Sequence, residues 1–268
     1  ETDEFFADEI VIVGDNVEDH GDGSATITPG TEPAEVTVTN GYDAGIFEIA
    51  KIVDGEGADL YGQGPFGFDV VCTYQGQTLL EESFQLEPGS TRSFGTFPAS
   101  TECEVAETAD GGATNTALDP EDGTVVIPSP EDVAADPISQ VNVTATNTFD
   151  LGQLDLVKLI EGAGAELYGA GPFEAQVACT WERDGEVLDI ELADDGVVRL
   201  SEDNGYSATI ENLIVGAECV VTETLTGGAT SSTIDPQDGT VTVPANDADG
   251  EQQAITVTLT NTFDVTSL

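Results

Sequence analysis

The sequence predicts an all-β chain of tandem β-sandwich units, and three observations carry that prediction. Short runs rich in Val, Ile, Thr and Phe alternate apolar with polar residues, as in VNVTATNTF (141–149) and ITVTLTNTF (255–263). Gly, Pro, Asp and Ser cluster between these runs, and no stretch carries a convincing helical period. One long segment occurs twice. Such strands, in units of about 100 residues, suggest an immunoglobulin-like sandwich, two antiparallel sheets burying their inner faces against each other.

The repeat sets the expected domains. KIVDGEGADLYGQGPFGFDVVCTY (51–74) aligns without a gap on KLIEGAGAELYGAGPFEAQVACTW (158–181). CEVAETADGGAT (103–114) then matches CVVTETLTGGAT (219–230), DPEDGTV (119–125) matches DPQDGTV (235–241), and VTATNTFD (143–150) matches VTLTNTFD (257–264). Residues 44–150 and 151–264 therefore read as two sandwich repeats. VTVTNGYD (36–43) resembles both repeat endings, and Asn40 precedes Lys51 by the same 11 residues that separate Asn147 from Lys158. Residues 1–43 thus read as the last strands of an upstream, incomplete repeat. VTSL (265–268) stands where a following repeat opens, so the sequence reads as a piece of a longer array.

Composition narrows the function classes. Hydrophobic residues make up 39% of the 268, enough for real cores, so the 53 acidic against 5 basic residues must coat the surface. A formal charge of -48 repels nucleic-acid phosphates and anionic membranes. No apolar run approaches the roughly 20 residues of a membrane span, and no basic, then apolar leader opens the chain.

The four cysteines are widely spaced, which favours disulfides, Cys72 with Cys103 and Cys179 with Cys219, over the close pairs of a metal site. Each bridge closes a loop of about 30 to 40 residues, worth roughly 3 to 4 kcal/mol in the chain-entropy model. Phe68, Val70 and Cys72 share a face, as do Ala175, Val177 and Cys179, so the alternative is free buried thiols acting as small hydrophobes. Disulfides imply an oxidising, extracellular compartment.

Strand alternation puts three polar residues of each repeat on core faces. In FEIAKIV, Phe47, Ile49, Lys51 and Val53 point the same way; Leu154, Leu156, Lys158 and Ile160 do so in the second copy. Both lysines of the chain are thereby placed inside. Asn147 falls among Val143, Ala145 and Phe149, and Asn261 among Val257, Leu259 and Phe263. Glu107 follows Cys103 and Val105, and Glu223 follows Cys219 and Val221.

A buried ammonium or carboxylate costs several kcal/mol unless paired. One reading is a hydrogen-bonded Lys-Glu ion pair with Asn as a satisfied neighbour. The other is covalent. In an apolar pocket the lysine pKa falls and the glutamate pKa rises, leaving a neutral amine beside a protonated acid. Held against the Asn carboxamide, that amine is a nucleophile and the acid can polarise the carbonyl and relay protons as ammonia leaves. The product is an intramolecular Lys-Asn isopeptide bond.

The order of Lys on the first strand, Glu in a late "ET" strand and Asn in a final "TN" strand resembles the B-type repeats of collagen adhesins and the shaft domains of Gram-positive pilins. The resemblance covers both full repeats. It implies tandem B-type sandwiches in which Lys51 and Lys158 donate the amine, Asn147 and Asn261 the acyl group, and Glu107 and Glu223 catalyse an autocatalytic cross-link. It also implies an extracellular stalk or spacer of a bacterial cell-surface adhesin or pilus-like protein, with neighbouring repeats of the same chain as partners. The sequence departs from that pattern in lacking a Pro-x-Gly-Tyr continuation after the Glu strand, in its paired cysteines, and in having no visible pilin-type sortase motif.

Other chemistry finds less in the residues. The single histidine, His20, lies in the polar turn NVEDHGDG, so neither full repeat can assemble a Ser-His-Asp or Cys-His arrangement, and no enzyme activity beyond self-cross-linking is expected. The glycines of GEGADLYGQG and GAGAELYGAG match no nucleotide-binding spacing and read as turns. No cofactor is expected; calcium is the competitor, through Asp119 and Asp122, Asp235 and Asp238, and LSEDNG (200–205), though none has EF-hand spacing. Asn142 sits in an Asn-Val-Thr glycosylation pattern on the outward face. An alternative function is a module whose loops bind a host or surface ligand, or a subunit lending strands to identical copies through the incomplete sheet at 1–43.

Overall fold

The computed structural model describes residues 9–14, 16–28, 30, 35–41, 44–128 and 139–265. Among them, β1 (Glu9–Gly14) pairs antiparallel with β4 (Val36–Gly41), and β2 (Val17–Asp19) with β3 (Ala25–Ile27). The expectation of a further repeat opening at 265–268 falls outside the described residues apart from Val265.

The first repeat contains β5 (Ala44–Asp54), β6 (Phe66–Tyr74), β7 (Gln77–Leu86), β8 (Thr91–Pro98), β9 (Glu102–Ala109), β10 (Asn115–Asp119), β11 (Thr124–Val126) and β12 (Ser139–Thr148). One sheet has the order β10-β12-β5-β8 and the other β11-β9-β6-β7. The second repeat contains β13 (Leu151–Glu161), β14 (Phe173–Arg183), β15 (Glu186–Ile190), β16 (Val197–Leu200), β17 (Ser207–Ile214), β18 (Glu218–Thr226), β19 (Ser231–Asp235), β20 (Thr240–Thr242) and β21 (Ala254–Thr262). Its sheets run β17-β13-β21-β19 and β15-β14-β18-β20, with β16 also on β14. The chain is therefore all-β, built as immunoglobulin-like sandwiches.

The alternation read from sequence is what closes each sandwich. Phe47, Ile49, Phe68, Val70, Val105, Val143 and Phe149 are buried, while Ile52, one residue out of phase on β5, is exposed. Each large apolar side chain removed from water contributes about 1.5 to 3 kcal/mol. Among the described residues all ladders within a repeat are antiparallel save one: the first and last strands, β5 with β12 and β13 with β21, lie side by side and parallel.

The cysteines pair as Cys72–Cys103 and Cys179–Cys219, joining β6 to β9 and β14 to β18 at positions directly opposite in the ladder, with Cα atoms 4.0 and 4.1 Å apart. Each bridge lies within one sheet rather than across the core.

The segments read as plain turns after the first strand of each repeat instead form single helical turns, α1 (Ala58–Tyr61) and α2 (Ala165–Tyr168). Backbone crowding explains them. Gly55 has φ +94° and a Cβ there would overlap the Phe149 carbonyl, so the chain turns tightly against the end of β12 and closes one turn, with Gly57 N–H donating to Phe149 O at 2.8 Å.

Only Phe149 and Asp150 separate β12 from β13, and the two repeats touch. Tyr61 packs edge-on against Trp181 with centroids 5.2 Å apart, and its hydroxyl donates to Asn212 O at 2.8 Å.

Candidate cross-link sites

Each site is assembled from three strands and both sheets. Lys51, 1% exposed on β5, has Ala145 of β12 as its register partner, so Asn147, fully buried, stands two residues further along the same inner face. Glu107 reaches in from β9 of the facing sheet, opposite Phe68 in its own ladder. The second repeat repeats the plan with Lys158 on β13, Asn261 on β21 and Glu223 on β18.

In the first repeat one carboxylate oxygen meets both nitrogens. Glu107 Oε1 lies 3.2 Å from Lys51 Nζ and accepts from Asn147 Nδ2 at 2.9 Å. Lys51 Nζ also approaches Ala145 O at 3.4 Å and sits over the Phe66 ring, 4.4 Å from its centroid. Asn147 Nδ2 donates its other proton to Asp110 O at 2.9 Å. In the second repeat Lys158 Nζ lies 2.7 Å and Asn261 Nδ2 2.8 Å from Glu223 Oε1, Asn261 Nδ2 reaches Thr226 O at 2.9 Å, and Phe173 lies under the lysine at 5.0 Å.

The electrostatics follow from burial. Removal from water pushes the Lys51 pKa below its usual value, opposed by the charge and hydrogen bond of Glu107. The same loss of water pushes Glu107 upward, opposed by Lys51 and by the Asn147 hydrogen bond. Lys158 is likewise pushed down by burial against the pull of Glu223. For the first repeat the two shifts converge, which narrows the gap between an ion pair and a neutral amine beside a neutral acid.

Among the described residues no donor reaches the buried Oδ1 oxygens of Asn147 and Asn261. An unmet buried acceptor costs about 1 to 3 kcal/mol.

The six residues singled out from alternation are thus brought together in two threes, Lys51 with Glu107 and Asn147, Lys158 with Glu223 and Asn261. Sequence reasoning missed Phe66 and Phe173, which floor the lysines, and the carbonyls of Asp110 and Thr226, which hold the carboxamides. Both phenylalanines close the repeated Gly-Pro-Phe of the two copies, so the repeat itself carried that signal.

Elsewhere the candidate residues serve their own loops. Asp122 Oδ1 accepts from Thr124 N–H at 3.0 Å, and Asp238 Oδ1 from Thr240 N–H at 3.1 Å, as turn residues do. Asn204 of LSEDNG folds back onto Ser201 N–H at 2.9 Å. Among the described residues no group of three or more His, Cys, Asp or Glu side chains is arranged to hold a metal ion. His20 Nε2 meets Thr26 Oγ1 at 2.8 Å across the β2–β3 hairpin, and Asn142 is exposed, with its Oδ1 accepting from Gln140. No helix among the described residues is long and apolar enough to cross a membrane.

Comparison with solved structures finds similar chains of low identity. The major pilin protein T3.2 of Streptococcus pyogenes is 15% identical, covering 83% of this chain and 98% of that one with a TM-score of 0.42. The T-13 major pilin of the same species is 14% identical, covering 82% and 97% with a TM-score of 0.43. Two B repeat units of the collagen-binding protein of Staphylococcus aureus are 13% identical, covering 96% and 56% with a TM-score of 0.27. No curated protein matches the sequence. The domain of unknown function DUF5979 matches twice, at residues 47–150 and 154–264, each match spanning one Lys, Glu and Asn set. The chain therefore belongs to the DUF5979 family.

Proposed function

We propose that the two repeats are self-cross-linking structural modules, stalk or spacer units of a bacterial cell-surface adhesin or pilus-like protein, acting outside the cell. A single observation carries the reading. In each repeat one buried glutamate oxygen meets both the lysine amine and the asparagine amide nitrogen, with the lysine on the first strand and the asparagine on the last.

The chemistry proceeds from the neutral pair. Lys51 Nζ attacks Cγ of Asn147, whose Nδ2 is held by Glu107 and the Asp110 carbonyl, while the protonated Glu107 carboxyl stands beside that leaving nitrogen. Glu107 then relays the proton released by the amine to Nδ2, which departs as ammonia. One Nζ–Cγ bond forms, one Cγ–Nδ2 bond breaks, and Glu107 ends protonated as it began. Phe66 and the surrounding core exclude water, which would otherwise compete as the nucleophile. Lys158, Glu223 and Asn261 take the same parts in the second repeat.

Such a bond ties the first strand of a module to its last, so tension along the array passes through covalent links and the sheets are not peeled apart. The two-residue connection from β12 to β13 leaves little slack between one bond and the next. Neighbouring repeats of the same chain are the immediate partners, and the array spaces a ligand-binding part from the surface that bears it.

Intact mass spectrometry under reducing conditions tests the reading. The expected mass is below the sequence mass by one ammonia for each full repeat, with Lys51–Asn147 and Lys158–Asn261 recovered as joined peptides. A mass equal to the sequence mass, with both lysines free in the peptide map, would leave only the buried ion pairs.

A further inference from the structure

The junction between the repeats reaches the first cross-link site through one peptide group. The peptide joining Asp110 to Gly111 offers its carbonyl to Asn147 Nδ2 at 2.9 Å and its N–H to Asp184 Oδ1 of the second repeat at 3.0 Å. A peptide is planar, so a partner that fixes the direction of the N–H also fixes the direction of the C=O. The same loop is braced twice more: Gly112 N–H donates to Asp110 Oδ1 at 2.8 Å, and Gly112 lies so close to Trp181 that a Cβ would overlap the indole.

Asp184 is itself well placed. With Gly185 it forms the two-residue tip of the β14–β15 hairpin, both in the left-handed region at φ 50° and 84°. Its neighbour Arg183 donates to Gly64 O in the first repeat, anchoring the tip, and Arg183 Nε lies 3.9 Å from Asp184 Oδ2. The first repeat's own hairpin turns earlier, at Gln75 and Gly76; β14 runs 11 residues where β6 runs 9. The extra length brings the carboxylate to the loop. Glu107 and Asp110 face Trp181, Glu182 and Asp184 across the cleft between the repeats. In the second repeat the equivalent peptide, Thr226–Gly227, holds Asn261 with no later repeat against it among the described residues.

We infer that Asp184 is a positioning residue for the Lys51–Asn147 cross-link: docking of the second repeat orients the Asp110 carbonyl and thereby the carboxamide that Lys51 attacks. The first bond then closes at its full rate only once the second repeat has folded against it. This rests on the cross-linking reading above.

The two sites in one molecule allow a controlled test. Full-length chain is made by cell-free synthesis into denaturant and refolded, and joined Lys51–Asn147 and Lys158–Asn261 peptides are quantified against time by mass spectrometry. Asp184→Gly, which keeps a turn of this type, is expected to slow the first bond about tenfold, the effect of losing one charge-assisted hydrogen bond, and to leave the second unchanged. Asp184→Asn retains an acceptor oxygen and the left-handed turn and is expected to restore most of the rate. Equal rates for Asp184→Gly and wild type at the first site would overturn the inference, as would a slowdown shared by both sites, which marks impaired folding. Absence of both bonds in the wild type defeats the cross-linking reading itself, a result separable from either.

Discussion

Lys51 and Asn147 stand on neighbouring parallel strands two positions apart in register, with Ala145 the lysine's own partner. A small residue opposite the lysine leaves room for its long side chain to run along the inner face toward the asparagine, and Glu107 closes the triangle from the other sheet. Lys158, Leu259 and Asn261 repeat the offset with a larger residue at the intervening position.

Removal of the catalyst is expected to separate the two sites. Glu107→Ala leaves Lys51 and Asn147 in place but without proton relay, a contribution of about 10²- to 10⁴-fold. The intact mass should then fall short of the variant's own sequence mass by one ammonia instead of two, with the joined peptide of the first repeat missing and that of the second present.

Loss of the bond without loss of packing is tested by Lys51→Met combined with Glu107→Gln, which leaves neither buried charge unpaired. A ring of about 100 residues is opened, and the chain-entropy model assigns such a closure about 4.7 kcal/mol. Denaturant unfolding of the first repeat should show a loss of that order, with the second repeat's transition unmoved.

The disulfides are expected to act independently. Cys72→Ser with Cys103→Ser should lower the stability of the first repeat by roughly 3 kcal/mol, read from its melting transition. Because Cys72 and Cys103 are fully buried, reductant should act on the native wild-type protein only as fast as the sandwich opens.

Cross-linking should have a bell-shaped dependence on pH. The downward shift of Lys51 and the upward shift of Glu107 define its limbs. Acid keeps the amine protonated and removes the nucleophile; alkali ionises Glu107 and removes the proton donor. The rate is therefore expected to pass through a maximum at intermediate pH in refolding assays, and Glu107→Gln should abolish that maximum.

Trp181 is the chain's single tryptophan and reports directly on the junction. Gly112→Ala places a methyl group against its ring at a residue with φ +75°. A red-shifted emission and weaker docking are expected, with the far-ultraviolet strand signal unchanged.

Much of this was legible because a strand's period of two is unforgiving: a lysine in phase with Phe47 and Ile49 has to be inside, and the repeat supplied an independent second copy. The same alternation placed Glu107 and Asn147 on inner faces. It could not say which sheet each strand joined, so the approach of Glu107 from across the core needed the three-dimensional arrangement. The helical turns α1 and α2 escaped because four residues between glycines carry no measurable period. The Asp184 contact escaped because it depends on one repeat's placement against the other, although the longer WERDGEV tip, set against YQGQT, marked where the copies diverge.

The Cys72–Cys103 bridge lies wholly inside the stretch from Lys51 to Asn147. Once the isopeptide bond has closed, the first repeat is a ring within a ring. A protease that cuts one exposed loop between residues 51 and 147 then produces a nick and no fragment, since both new ends stay tethered to the same closed circuit. A cut between Cys72 and Cys103 must be followed by loss of both bonds before the molecule parts there. With the proposed bond in place, resistance to being severed, as distinct from resistance to unfolding, is built into each module.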